Sequence, residues 1–220
     1  MIRAVFFDLD GTLYDRDAAI VRTAEFQFAT YRHHFTHVTQ SAFIERLVEL
    51  DGHGHTRTPM LHHRLAAELE FSESVAEQLE ESFRSKYPHY CHITEDTIST
   101  LHALRDRGMK LGIITNGPTG WQSRKIEALK IAPLFDTIVI SGNEGFEKPD
   151  ARIFAVALER CGVVAADSMF VGDHPEADIR GAKDAGMVPV WKKMTYWKVP
   201  EDVARIERIS EVVNLVEGKF

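Results

Sequence analysis

Five short apolar runs constrain this chain more than any other feature: Ala4–Phe7, Leu111–Ile114, Thr137–Ile140, Ser168–Val171 and Val188–Trp191. Each run is continuous, with no alternation of polar and apolar residues. That is the pattern of parallel strands covered on both faces. Helical stretches accompany them. Residues 97–107 place Ile98, Leu101 and Leu104 on one face and stop at Gly108. Residues 150–161 place Ile153, Phe154, Ala157, Leu158 and Cys161 on one face and stop at Gly162, and residues 176–185 carry Ile179, Ala182 and Ala185 and stop at Gly186. A glycine just past a helix supplies the left-handed residue that ends it. Strands alternating with helices that stop in this way predict an α/β fold with a doubly wound parallel sheet.

Between residue 15 and about residue 95 no strand signal occurs. Apolar residues recur instead at helical spacing: Phe26 and Phe28, then Phe43, Ile44, Leu47 and Leu50, then Leu61, Leu65 and Leu69, then Val75, Leu79 and Phe83. This predicts about four helices inserted directly after the first strand, with breaks near 51–59 (DGHGHTRTP), at Ser72 and at Pro88. The domain expectation is therefore a discontinuous core, 1–14 plus 96–220, with a helical insert over 15–95.

At 220 residues the chain can bury a sizeable core without disulfides or a structural metal. Its formal net charge of −7 argues against non-specific nucleic-acid binding and against a polybasic membrane contact. Two cysteines far apart, Cys91 and Cys161, form no disulfide framework and fit a reducing compartment. The apolar stretch at the N-terminus is broken by Asp8 and Asp10, unlike a secretory signal, and no apolar run is long enough to span a bilayer. The expectation is a soluble cytoplasmic protein whose partner is a small molecule, with no nucleic acid and no membrane.

Ligands of open α/β sheets bind at the carboxyl ends of the strands. The first strand ends in Asp8-Leu9-Asp10-Gly11-Thr12, the second in Thr115-Asn116-Gly117, and the fourth in Gly172-Asp173 with Asp178 five residues on. Lys148, in GFEKPD, follows the third. In a parallel sheet these groups converge on one rim. A buried strand that ends in two acids needs a cation or a reaction to compensate them. Asp8, Asp173 and Asp178 are hard oxygen donors suited to Mg²⁺. Thr115 and Asn116 offer hydroxyl and amide groups at a turn able to hold a phosphate, and Lys148 offers a positive charge to an anionic substrate or to the nucleophile. Such a set suits phosphoryl transfer, where positioning and charge neutralisation do most of the chemistry, and a carboxylate can itself be the attacking group.

The motifs FDLDGT, ITNG, EKPD and GDHPEAD, in this order, resemble the haloacid dehalogenase-like hydrolase superfamily. More narrowly, they resemble its phosphatase branch, in which a helical cap is inserted between the first two motifs of a Rossmann-like core. The resemblance implies a Mg²⁺-dependent phosphatase that works through an aspartyl-phosphate. It makes Asp8 the nucleophile and a metal ligand. Asp10 becomes the acid for the leaving group and then the base for water, with its backbone carbonyl on the metal. Thr115 would hydrogen-bond the phosphoryl oxygens, with Asn116 beside it at the phosphate, and Lys148 would steady Asp8 and the transferring group. Asp173 would be the metal's second carboxylate, supported by Asp178 directly or through water. The dehalogenase members lack an acid at the position of Asp10, so Asp10 favours phosphate esters as substrates. A 5'-nucleotidase, a phosphomutase and a non-catalytic binding protein on the same fold are the alternatives.

Asp178 also reads as a capping acid in the first turn of a helix. Nine of the eleven histidines lie in the insert. His33 and His37 have the helical spacing that can bind zinc, but no HExxH or paired CxxC accompanies them, and they read better as surface or partly buried histidines. Gly52 and Gly54 make no dinucleotide fingerprint, because Arg57 stands where a third glycine is needed. The aromatic stripe Phe26, Phe28, Tyr31 and Phe35 reads as core of the insert. Within DGHGHTRTP, His53, His55 and Arg57 are the candidates to contact a substrate's polar end. His174 and the tail residues Lys192, Lys193, Trp197 and Lys198 are further candidates beside the cleft.

Overall fold

The structure is a computed structural model and describes residues 1–54, 60–198 and 200–218. The chain divides into two compact units, Met1–Tyr14 with Ile93–Phe220, and Asp15–His92. The division falls at His92, a little before the residue 95 expected, because Thr94 already caps the next helix.

Strand β1 (Ala4–Phe7) opens the chain. The smaller unit follows with α1 (Arg16–Tyr31), α2 (Gln40–Asp51), α3 (Leu61–Leu69) and α4 (Glu73–Tyr90). Asp15 and Thr39 cap α1 and α2 by accepting the Ala18 and Ala42 N–H groups. Phe28, Phe35, Phe43, Leu47, Leu65 and Leu79 form the buried interior of this unit. Phe28 stacks on Phe35 with ring centroids 5.4 Å apart. Only half of the aromatic stripe is therefore core, since Phe26 and Tyr31 stay partly exposed. Pro88 does not break the chain as expected. It sits in the last turn of α4, where the helix is about to end and few hydrogen bonds remain for its missing N–H to interrupt.

The larger unit continues with α5 (Glu95–Asp106), β2 (Lys110–Thr115), α6 (Thr119–Leu129), β3 (Thr137–Ile140), α7 (Ser141–Glu144), α8 (Ala151–Cys161) and β4 (Ser168–Gly172). A π-helical turn (Pro175–Arg180) leads into α9 (Gly181–Asp184), followed by β5 (Val188–Lys192), β6 (Ala204–Ile206) and α10 (Val212–Val216). Among the described residues the sheet has the order β3-β2-β1-β4-β5-β6, and every pair is parallel. The five expected strands are all present. Phe7 lies level with Ile113 of β2 and with Val171 of β4, so the three strand ends reach one rim together.

Side chains of β1 alternate across the sheet. Ala4 and Phe6 join Ile114, Val139 and Phe170 against Ile153, Phe154, Ala157 and Leu158 of α8 and Ala182 of α9. Phe154 meets Phe170 edge-on at 5.2 Å. Phe7 points the other way and meets Phe135 edge-on at 6.5 Å. Truncating such a ring to alanine costs about 3–5 kcal/mol. No helix among the described residues is long and apolar enough to cross a membrane.

Several elements differ from the sequence reading. Strand β6 lacks a continuous apolar run, because Arg205 interrupts a three-residue edge strand. Helix α6 lies between two of the expected strands, where the sequence reading singled out no helical stretch, because two polar residues occupy its buried face (below). The helix expected over 176–185 begins as a π turn, in which the Ile179 N–H reaches back five residues to the His174 carbonyl at 3.3 Å.

Candidate active site

Every residue of the site lies in the larger unit, at the ends of β1, β2 and β4, in the segment after β3, in the π-helical turn and on α6. Asp8 continues β1 by one residue, donating its N–H to the Val171 carbonyl at 2.9 Å. Asp173 continues β4, and its carbonyl accepts the Trp191 indole N–H at 2.7 Å. Two glycines let these acids approach. A Cβ on Gly11 (φ +83°) would lie 2.8 Å from Asp173 Oδ2, and a Cβ on Gly172 would lie 2.5 Å from Asp178.

Lys148 binds the cluster together. Its Nζ donates to Asp8 Oδ1 and to Asp178 Oδ1, both at 2.6 Å, and stands 5.3 Å from the centroid of the Phe170 ring. The other oxygen of Asp178 accepts the His174 N–H at 2.9 Å. Asp178 therefore caps its turn and faces the site at once, so its two sequence readings are compatible. Asp173 Oδ1 accepts the Thr12 hydroxyl at 3.4 Å. Asp8, Asp173, Asp178 and Lys148 are all buried. Burial pushes the Asp8 carboxyl up to about 7; Lys148 pulls it down, and Asp178 and Asp10 push it up again. Burial, then Asp178 and Asp8, hold Asp173 well above the usual carboxylate range. Burial works against the charge on Lys148, but Asp178 and Asp8 outweigh it and hold the ammonium above its ordinary value.

Three buried carboxylates face one ammonium here, and an oxygen from each carboxylate lies within 4.8 Å of the others. The excess negative charge, the oxygen-only donor set and the close spacing fit a hard divalent cation such as Mg²⁺.

A second ring stands behind the first. Asn116 clasps the Lys148 peptide: its Nδ2 donates to the Lys148 carbonyl and its Oδ1 accepts the Lys148 N–H, each at 2.9 Å. The side chain of Asn116 thus ties the turn after β2 to the Lys148 segment. Thr115 Oγ1 accepts the Gln122 amide N–H, which leaves the hydroxyl hydrogen for an incoming oxygen. The Asp10 side chain has a set of partners of its own. It accepts from Lys125 Nζ at 2.6 and 2.5 Å, from Gln122 Nε2 at 2.9 Å and from the Tyr14 hydroxyl.

The sequence model of one family, described as haloacid dehalogenase-like hydrolase, matches residues 2–186. The chain belongs to the haloacid dehalogenase-like hydrolases. A glyceraldehyde 3-phosphate phosphatase of Methanopyrus kandleri is 35% identical over 196 residues, covering 86% of this chain and 83% of that protein. The pyrimidine 5'-nucleotidase YjjG of Escherichia coli is 29% identical over 223 residues, covering 96% and 95%. The crystal structure of a phosphatase of this family from Thermococcus onnurineus superposes with a TM-score of 0.67 at 26% identity, covering 99% of both chains.

Several candidates lie elsewhere in this haloacid dehalogenase-like chain. His174 uses its ring as a cap, with Nδ1 accepting the Glu176 and Ala177 N–H groups at 3.1 and 3.2 Å, and it packs against Trp197 with centroids 4.6 Å apart. Burial holds its imidazole below the ordinary value. Lys193 pairs with Glu207 at 2.9 Å. In the smaller unit His37 Nε2 lies 3.0 Å from the Leu69 carbonyl, while the His33 ring rests on His34 with centroids 4.0 Å apart. His53 Nδ1 meets Asp17 at 2.9 Å. His55 and Arg57 lie outside the described residues.

Sequence reasoning missed Gln122 and Lys125. Both are buried. They share a face of α6 with Ile126 and Leu129 at spacings of three, four and seven, the pattern of a core-facing stripe. A glutamine and a lysine at stripe positions, shortly after the Thr115-Asn116 strand end, are the signal that was there to be read.

Proposed function

We propose that this hydrolase is a Mg²⁺-dependent phosphatase that cleaves the phosphate monoester of a small metabolite through an aspartyl-phosphate on Asp8. The observation that carries the reading is the buried contact of Asp8 with Lys148, closed by Asp178 and Asp173. Lys148 keeps the Asp8 carboxylate oriented and offsets its charge as an anionic phosphoryl group approaches. The Thr115 hydroxyl, accepting from Gln122, is set to donate to a phosphoryl oxygen. Asn116 holds the Lys148 main chain in place. Asp10 gives a proton to the leaving oxygen, and after departure takes one from the water that attacks the acyl phosphate. Asp8, Asp173 and Asp178, with the Asp10 carbonyl, would hold the Mg²⁺, which supplies positive charge to the phosphoryl oxygens.

The helical unit is read as the cap that selects the substrate and excludes water from the reaction. The names of the relatives support the class of substrate: one acts on a triose phosphate and one on a pyrimidine nucleotide. The second relative keeps a 5'-nucleotidase as the competing reading. Both cysteines are free, which supports a reducing, cytoplasmic setting. The test is phosphate release from a panel of triose, sugar and amino-acid phosphates and nucleoside monophosphates, with Mg²⁺ and with a chelator, beside Asp8→Asn. Mg²⁺-dependent release that is lost in Asp8→Asn supports the reading, and the ranking separates a metabolite phosphatase from a nucleotidase. Release from no member by a folded protein contradicts it.

A further inference from the structure

Lys125 is an unusual residue to find where α6 puts it. Its side chain is 3% exposed and its ammonium touches both oxygens of Asp10. Lysine is almost never so buried unless it is paired, and a buried pair is seldom a gain in stability over apolar residues of the same size. A leucine there would continue the stripe of Ile126 and Leu129. The pair therefore calls for a reason other than folding. Gln122, one turn earlier on the same face, supplies a second oddity. Its single amide nitrogen donates both to Asp10 Oδ2 and to Thr115 Oγ1. The two groups it joins are the ones read above as the proton donor and the phosphoryl-binding hydroxyl.

We propose that Lys125 and Gln122 are positioning residues for proton transfer: α6 holds the Asp10 carboxylate at a set place relative to Thr115, and so relative to the leaving oxygen of a bound phosphate ester. Tyr14 completes the hold from the loop after β1. The inference rests on the phosphatase reading and adds to it which residues aim its acid. All three side chains present hydrogens to Asp10, and two of the three come from one helix face, so the aim of Asp10 is tied to the seating of α6 against β2. Orientation of this kind decides how well a proton reaches a departing oxygen, and matters least when the leaving group is stable as an anion.

The experiment compares an alkyl phosphate, which needs the proton, with 4-nitrophenyl phosphate, which does not. Lys125→Met, Gln122→Met and Lys125→Arg are assayed with Mg²⁺, alone and combined with Asp10→Asn. Lys125→Met should lower kcat on the alkyl ester by about 10²-fold, the lower end of what acid–base groups contribute. It should lower kcat on the aryl ester by about threefold or less and leave KM in place, as expected of an interaction acting after substrate binding. Lys125→Arg should recover part of the loss. Added to Asp10→Asn, Lys125→Met should cost nothing more. Gln122→Met should show the same selectivity in smaller degree, and it decides the matter should Lys125→Met fail to fold. Equal losses on both esters, or full additivity with Asp10→Asn, would overturn the inference while leaving the phosphatase reading intact. An unmodified chain that releases phosphate from neither ester would overturn both.

Discussion

Lys148→Met removes the cation that touches both Asp8 and Asp178, and the structure says how large the effect should be. Both contacts are 2.6 Å, and the lysine side chain is 2% exposed. Stripping one partner from a buried ion pair costs about 3–5 kcal/mol. In a chain of this size that corresponds to a fall in Tm of roughly 6–20 °C. The loss should also depend on pH. In the unmodified chain the Asp8 carboxyl is raised from 3.8 to about 7, burial being the first cause. Between those values the folded chain keeps a proton that the unfolded chain has released, so metal-free stability falls as pH rises through that window, by an amount of order 4 kcal/mol. Lys148 has its folded value raised, so its own contribution is intact below about 10 and outside the assay range. Without Lys148 nothing opposes burial at Asp8, and the window extends upward. The assay is thermal unfolding followed by circular dichroism at pH 5 and pH 8 in a chelator. The expected result is a modest loss at pH 5 and the full loss at pH 8. A fall of under about 2 °C, equal at the two pH values, would refute the reasoning, since about 1 kcal/mol or less would then hold the centre together.

Other outcomes follow from the same geometry. Asp10→Asn should slow alkyl phosphates far more than 4-nitrophenyl phosphate; steady-state rates on the two esters check this, and equal effects would remove its acid–base role. Mg²⁺ should raise Tm more at pH 8 than at pH 5, because Asp8 and Asp173 must give up protons to a cation and their raised values oppose this at low pH; thermal scans with metal titrated at each pH show it. Gly11→Ala should cost both stability and metal affinity, since φ is +83° and the new methyl would stand 2.8 Å from Asp173 Oδ2; chelator-matched unfolding and Mg²⁺ calorimetry measure the two separately.

The parts of this molecule legible in its sequence are those whose signal is local. The runs Ala4–Phe7 and Ser168–Val171 announce central strands because both faces are buried and nearly all the side chains are apolar. Asp8 and Asp173 stand out because charges at the ends of such strands have no structural excuse, and Lys148 stands out by its place in EKPD. Helix α6 escaped because Gln122 and Lys125 replace apolar residues on its buried face, so the feature that makes the helix interesting also erased its periodicity. Strand β6 escaped because an edge strand of three residues can carry Arg205 at its centre. The place of Asn116 in a turn marks it as a phosphate-binding candidate, but its clasp on Lys148 is not legible there. Its bond to the Lys148 peptide spans 32 residues, and no local pattern encodes such a contact.

The central claim is that Asp8 carries the phosphoryl group, and mapping that group on the protein tests it most directly. The chain is mixed with 4-nitrophenyl phosphate and Mg²⁺, quenched in acid within the first turnovers, digested and examined by mass spectrometry. The result expected is a phosphoryl adduct on the peptide that contains Asp8, absent from Asp8→Asn, which also loses turnover. Turnover in Asp8→Asn close to that of the unmodified chain, with no phosphorylated peptide in either, would contradict the claim.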